Sequence, residues 1–401
     1  MFKSLSLKVI IFGFILTFFS SFGQSFFLGL FNSSIRDTLS ITQGQFGTIY
    51  SFATLLSGFL LIWVGKKIDD INIFKFAFFA TILLSFSCFF FSKISSITFL
   101  FIAIFLMRFS GQGMMSHTAT TTISRYFTKS RGKALSVIWF GLSTAEFILP
   151  ILIVYLLTII SWQNLWIYIS ILVLIFLPIT SFTLVKNLNF DSREETNQQV
   201  FNEKIKQWKR IEVLKDYRFY IVCLNMLAMP WIVTGVFVYQ SFISESKGWG
   251  TYVIAQSFMV YSILSVLTLL IAGFLIDKFT SRKLLIFMNI PLLISTVVLI
   301  YFDISFSAFI FLGLIGISNG LANVLGSSTW AEIYGVRYIG SIKALTTALM
   351  VFSTAFGTAL FGVLIDSGFS IEKIALISFI YIALSAVLLL FVKNKLDPEY
   401  L

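Results

Sequence analysis

Apolar residues run along this chain in long blocks, broken at intervals by short clusters of charged residues, Gly, Ser and Asn. A bilayer's hydrocarbon core is about 30 Å thick, and a helix rising about 1.5 Å per residue needs about 20 apolar residues to cross it. By that measure the blocks predict twelve crossing helices: 8–31, 46–66, 72–92, 96–122, 133–159, 163–186, 218–243, 250–276, 283–302, 306–329, 341–365 and 372–393. One stretch breaks the rhythm. Residues 187–217 carry Arg193, Glu194, Glu195, Lys204, Lys206, Lys209 and Arg210 without a long apolar run. This is the pattern of a polar linker, with room for a short surface helix, between six-helix bundles at 1–186 and 218–401. The expected fold class is an all-α membrane protein of twelve transmembrane helices in two six-helix halves.

Composition removes the soluble alternative. Of 401 residues 58% are hydrophobic and 12% charged, against roughly 25% charged in soluble domains. A net charge of +11 would suggest nucleic acid in a soluble protein, but here the Lys and Arg sit in short loops, where they set orientation. No nucleic-acid partner is expected. With the N-terminus inside, the outer loops hold only Arg36, Lys93, Lys247 and Lys373 of the 29 Lys plus Arg; Arg108 is intramembrane and the rest face inward. Both termini, and the linker, are therefore expected on the cytoplasmic side of a cell inner membrane. Lys3 to Lys8 followed by an apolar run to Phe31 has the charge layout of a signal peptide, but the run is too long, so it is taken as the first span.

Two segments repeat at a near-constant offset. Gly65-Lys66-Lys67-Ile68-Asp69, with Lys75 beyond, follows the second block, and Gly273-Phe274-Leu275-Ile276-Asp277-Lys278, with Arg282 and Lys283, follows the eighth, 208 residues later. Lys133-Ala134-Leu135 returns as Lys343-Ala344-Leu345 at an offset of 210. A six-helix unit used twice leaves such echoes. The run 273–283 resembles the cytoplasmic loop motif of the major facilitator superfamily. The run 65–75 resembles a degraded copy, with Asp70 and Asn72 where the family prefers a basic residue and a glycine. Arg108-Phe109-Ser110-Gly111-Gln112-Gly113 with Arg125, Arg131-Gly132-Lys133-Ala134, and Ser21-Phe22-Gly23-Gln24 in the first span, are similar to bacterial monocarboxylate-porter-like members.

That resemblance covers essentially the whole chain. It implies a secondary transporter that moves a small organic solute, foremost a carboxylate, by alternating access, with a proton as a candidate coupling ion. It also implies that the loop charges Asp69, Asp277, Lys278 and Arg282 gate the inner side through ion pairs that break as the halves rock. The plainer alternative is that they only set topology. The subgroup typically carries a basic residue within the eighth or eleventh span. Here 250–276 and 341–365 have none at mid-depth, and Lys343 lies near the inner end. Arg108 would have to hold an anion alone, which leaves a neutral or zwitterionic substrate open, along with a non-transporting receptor on the same fold.

Charges in hydrocarbon are costly, by about 2.5–3.5 kcal/mol on insertion scales, so intramembrane ones are functional candidates. Only Arg108 and Glu146 lie well inside spans. Counted from their span ends at 1.5 Å per residue, both fall roughly 18–20 Å deep, near the midplane. A mutual ion pair is one expectation. A substrate carboxylate then competes for the planar guanidinium fork, and the released Glu146 takes a proton. A static pair bracing two helices is the other expectation. Gln112 shares a face with Arg108. His117, the single histidine, is either a second proton-coupling group or a hydrogen-bonded packing residue. Gln24, Asn225 and the Asn319/Asn323 pair, flanked by Gly316 and Gly320, are further substrate-binding candidates, since amides in hydrocarbon turn toward the bundle interior.

Other chemistries lack their residues. There is no His/Asp/Glu cluster at metal spacing, no Gly-x-Ser-x-Gly and no P-loop. Cys88 and Cys223 lie apart inside apolar runs. No enzyme activity, metal or cofactor is expected; the partners are a small-molecule substrate and the bilayer, and a monomer suffices to form the pathway.

Overall fold

In this computed structural model the described residues are 4–127, 131–186 and 206–398. Among them there is no strand. Helices long and apolar enough to cross a membrane occupy Ser6–Gly23, Gln43–Lys66, Ile73–Phe91, Ile97–Tyr126, Gly132–Leu156 and Trp162–Val185 in the first half. In the second half they occupy Tyr217–Val238, Thr251–Phe279, Ser281–Tyr301, Ser305–Tyr334, Ile339–Asp366 and Ile371–Lys395. These are spans one to twelve, close to the blocks expected from hydropathy.

Local chemistry fixes several starts. Thr42 and Gln45 exchange side-chain-to-backbone hydrogen bonds in a capping box at span two. The Asn72 carboxamide oxygen accepts the Phe74 N–H at 2.8 Å ahead of span three. So the residue standing where the loop motif prefers glycine acts as a helix cap.

Span one departs from its expected length. Its α-helix stops at Ser20, a 3₁₀ turn covers Ser21–Gly23, and Gln24 is extended (φ −84°, ψ 154°). A short helix, Ser25–Leu28, resumes the chain. Hydropathy continues to residue 31 because it registers side chains, not the backbone ladder.

The chain divides into two compact units, Met1–Thr196 with Phe237–Ser241, and Asn197–Val236 with Phe242–Leu401. The first is held by aromatic packing around buried Trp166, whose ring centroid lies 4.5 Å from Phe91, 5.0 Å from Phe31 and 5.6 Å from Phe27. The second is held by close backbone approach between spans eight and ten. A Cβ at Gly316 would lie 2.3 Å from the Tyr261 carbonyl oxygen, and one at Gly320 2.5 Å from that of Ser265. Residues 187–205 of the expected linker lie outside the described residues; its last part forms the short helix Arg210–Lys215.

Candidate functional site

Span four is where the first unit places its buried charge. It is α-helical over Ile97–Met107, π-helical over Arg108–Met115 and α-helical again over Ser116–Tyr126. A π segment widens the turn and leaves backbone out of the regular ladder, and such segments recur at functional sites. It faces the break in span one. A Cβ at Gly23 would sit 2.3 Å from the Met107 carbonyl oxygen and 2.5 Å from the Gln112 nitrogen, and one at Gly111 would sit 2.7 Å from the Gly23 nitrogen. Two irregular backbones therefore touch, and only glycine permits it.

Arg108 fills the space this creates. It is 2% exposed. Its Nη1 donates to the Gly23 carbonyl oxygen at 3.1 Å and to Ser25 Oγ at 3.3 Å. Its guanidinium carbon lies 5.4 Å from the centre of the Tyr50 ring, a cation–π distance. The Tyr50 hydroxyl donates to Ser25 Oγ at 3.1 Å, and Arg108 Nε is buried without a partner. The break in span one supplies the carbonyl that a continuous helix would have used internally.

The expected ion pair is not formed. Glu146 is 7% exposed, yet among the described residues Arg108 and Glu146 make no ion pair, and the Glu146 carboxyl has no hydrogen bond. Arg108 has turned to neutral oxygens and a ring face instead, because the break offers them at contact distance. Its full charge is thus met by dipoles alone, in a setting where an unpaired ion costs several kcal/mol.

Gln24 and Gln112 are both half-buried and flank the Gly23 contact, so the structure brings them to Arg108's surroundings. His117 goes elsewhere. Its Nε2 lies 2.9 Å from the Gly65 carbonyl oxygen, and its ring packs edge-on against Phe76, tying span four to the start of the first loop motif. Tyr50 and Ser25 are contacts that sequence reasoning missed; the adjacency of Ser25 to Ser21-Phe22-Gly23-Gln24 was the available signal.

The second unit's amides do not form one cluster. Asn225 is fully buried, with its side-chain nitrogen and oxygen unpartnered, and its backbone oxygen accepts Asn289 Nδ2 at 2.6 Å. Asn319 Nδ2 donates to Ser265 Oγ at 2.9 Å, joining spans ten and eight. Asn323 is exposed, unlike Asn319 one turn away.

The two loop motifs also differ. The Asp69 side chain lies outside the described residues. Asp277 and Lys278 are exposed, and Asp277 forms no ion pair among the described residues. The ion pairing runs through Arg282 instead: its Nη1 lies 2.7 Å from Asp397 Oδ1, and its Nε 4.0 Å from Glu332 Oε2. Glu332, which sequence reasoning passed over, accepts the Ser281 N–H at 2.8 Å and the Arg282 N–H at 3.1 Å. Within the motif, just ahead of span nine, Thr280 adopts φ +69°, ψ 149°, a conformation that suits glycine and strains a β-branched residue.

The sequence profile of the Major Facilitator Superfamily matches residues 13–358, and the chain belongs to that family. It is a multi-pass membrane transporter, whose partners are the bilayer and a small-molecule substrate. No curated protein matches its sequence. Among solved structures it is similar to a bacterial homologue of the human lysosomal transporter Spinster, inward-facing and occupied, at 14% identity over 98% of both chains, with TM-score 0.70. It is also similar to the nucleoside transporter NupG, at 15% identity over 98% of this chain and 99% of that one, with TM-score 0.71. At such identities the likeness is one of fold.

Proposed function

We propose that this transporter moves a small organic carboxylate across the cell inner membrane by alternating access, with both termini in the cytoplasm and a proton coupled to the movement. The observation that carries the proposal is Arg108: a buried guanidinium with neutral acceptors, an unpartnered Nε and no carboxylate among the described residues. A substrate carboxylate supplies the missing anion and matches the planar donor fork. Gln24 and Gln112 add amide contacts beside it, and Asn225, Asn319 and Asn323 are the candidate groups of the second unit.

Glu146 is assigned the coupling proton. Ionisable groups inside membrane bundles mark substrate and ion pathways and proton relays. A protonated Glu146 leaves Arg108 as the one buried charge among the unit's described residues, which an arriving carboxylate balances. His117, held at Gly65, is assigned with Asp69, Asp277, Lys278 and Arg282 to the inner gate.

A neutral or zwitterionic substrate is the second candidate, favoured by the lack of a basic residue at mid-depth in spans eight and eleven. A thermal-shift screen separates the two. Ligands that bind the folded form raise its apparent stability. The purified chain and Arg108→Ala are screened against mono- and dicarboxylates, amino acids, sugars and nucleosides. A carboxylate that stabilises the parent and not the variant supports the proposal. A response confined to uncharged or zwitterionic compounds moves it to the second class.

A further inference from the structure

At the cytoplasmic end of the second unit, an open pocket of about 390 Å³ is lined by Trp208, Tyr217, two carboxylates and three cations. The carboxylates are already engaged. Asp216 receives Arg218 Nε at 2.8 and 3.0 Å and the Tyr334 hydroxyl at 3.0 Å, and Glu212 accepts the Lys209 N–H at 2.6 Å. Arg218 is spent on Asp216 and on the Lys395 carbonyl oxygen, at 2.8 Å. The remaining cations, Lys215 and Lys395, are exposed and make no ion pair among the described residues. Trp208 is 8% exposed, and its indole N–H is buried without a partner. The pocket thus offers two ammonium groups without ion pairs, Lys395 Nζ lying 5.9 Å from the centre of the Tyr217 ring, with an orphaned indole N–H buried in its wall, an arrangement that suits an anion.

Its depth argues for the source of that anion. Val213 of the short helix Arg210–Lys215 packs into the core with Trp208, while Ile211 and Leu214 stay exposed, as do Tyr217 and Tyr220 at the start of span seven. Apolar and tyrosine side chains turned outward where a span leaves the bilayer mark headgroup level. Basic pockets on the cytoplasmic side at that level suit lipid headgroups.

We propose that this pocket is a docking site for the phosphodiester of an anionic phospholipid, bound by Lys215, Lys395 and the Trp208 indole N–H. The site also has a structural lever. The Trp208 backbone N–H donates to the Tyr334 carbonyl oxygen at 3.1 Å, and the Arg337 backbone N–H donates to Gln207 Oε1 at 3.0 Å, so the end of the linker is strapped to the end of span ten beside the pocket. A bound headgroup joins that strap to the start of span seven and the end of span twelve.

The test uses the full chain, delipidated in detergent, with phosphatidylglycerol, phosphatidylcholine, inorganic phosphate and glycerol 3-phosphate as probes, read by native mass spectrometry and thermal shift. Phosphatidylglycerol is expected to be retained and to raise the melting temperature, phosphatidylcholine to do so weakly, and the soluble phosphates not at all. Each lysine near an anionic surface contributes roughly fivefold in affinity, so Lys215→Gln with Lys395→Gln is expected to weaken phosphatidylglycerol about 25-fold. Trp208→Phe keeps the ring, removes the N–H and is expected to give a smaller loss. Both lysines are exposed, so the double variant retains the parent's melting temperature without lipid. Equal phosphatidylglycerol retention by parent and double variant overturns the proposal, and so does a soluble phosphate that matches the lipid.

Discussion

In the first unit the irregular backbone surrounds the buried charge; in the second it falls in span nine, where a 3₁₀ turn at Leu285–Phe287 parts the helix Ser281–Leu284 from Ile290–Tyr301, and the ion pairs collect at the rims. Span one breaks at Gln24 and span four widens into a π segment, whereas span ten is α-helical from Ser305 to Tyr334. The repeat offsets of 208 and 210 carry Arg108 onto Gly316 and Ser318. Where the first unit opens its backbone around a guanidinium, the second closes on Tyr261 with a glycine. Broken backbone in hydrocarbon persists only where another group satisfies it, and Arg108 does so for Gly23. At one rim, Arg282, Glu332 and Asp397 hold the second loop motif, and at the opposite rim Lys247 joins Asp303 and Glu372.

The sharpest way to break this contrast is a matched pair of glycine substitutions. Gly23→Ala and Gly316→Ala both drive a methyl against a backbone oxygen at 2.3 Å, and each is expected to destabilise by about 1–3 kcal/mol or more. Only Gly23→Ala is expected to abolish the ligand-induced thermal shift as well. Equal ligand responses in the two variants would show that the irregular unit holds no special site.

Next in size is the rim. Glu332→Gln weakens two charge-assisted hydrogen bonds and is expected to cost about 1–3 kcal/mol in chemical denaturation. Asp277→Asn, at an exposed and unpaired position, is expected to stay within about 0.5 kcal/mol.

The loop position where the family prefers glycine gives opposite signs in the two copies. Thr280→Gly relieves a strained backbone and is expected to stabilise by about 1 kcal/mol. Asn72→Gly loses the cap of span three and is expected to destabilise by a few tenths of a kcal/mol. A common sign in thermal melts would erase the distinction between the loops.

The smallest effect is in alkali. Burial works against the Lys247 ammonium, but hydrogen bonds and attraction from Asp303 and Glu372 outweigh it and hold its pKa above the ordinary 10.5. A raised lysine pKa contributes stability that is full below the ordinary value and lost as pH rises through the folded one. The parent's melting temperature is therefore expected to fall above about pH 10.5, more steeply than that of Lys247→Met.

Much of this was legible in the sequence. Twelve apolar blocks specify the crossing helices, because bilayer thickness leaves little choice of element length. Arg108 and Glu146 stood out because charge inside an apolar block is rare. Their partners did not. Hydropathy cannot see that span one breaks at Gln24, so it could not show that Gly23 and Ser25 would take Arg108 away from Glu146. Glu332, in the last turn of span ten, looks like any loop carboxylate until the fold sets it under the Ser281 and Arg282 N–H groups. Trp208 is one of eight tryptophans, and its unpartnered donor is visible only in three dimensions.

The most direct measurement is exchange of labelled solutes in proteoliposomes containing the parent or Arg108→Gln. The substitution keeps hydrogen-bond donors while removing the charge and the fork. With an uncompensated Arg108 as the anion site, the parent exchanges a labelled carboxylate, and the folded variant loses at least about 100-fold of that rate, a loss of about 2.7 kcal/mol. Carboxylate exchange at the parent's rate by Arg108→Gln would contradict it.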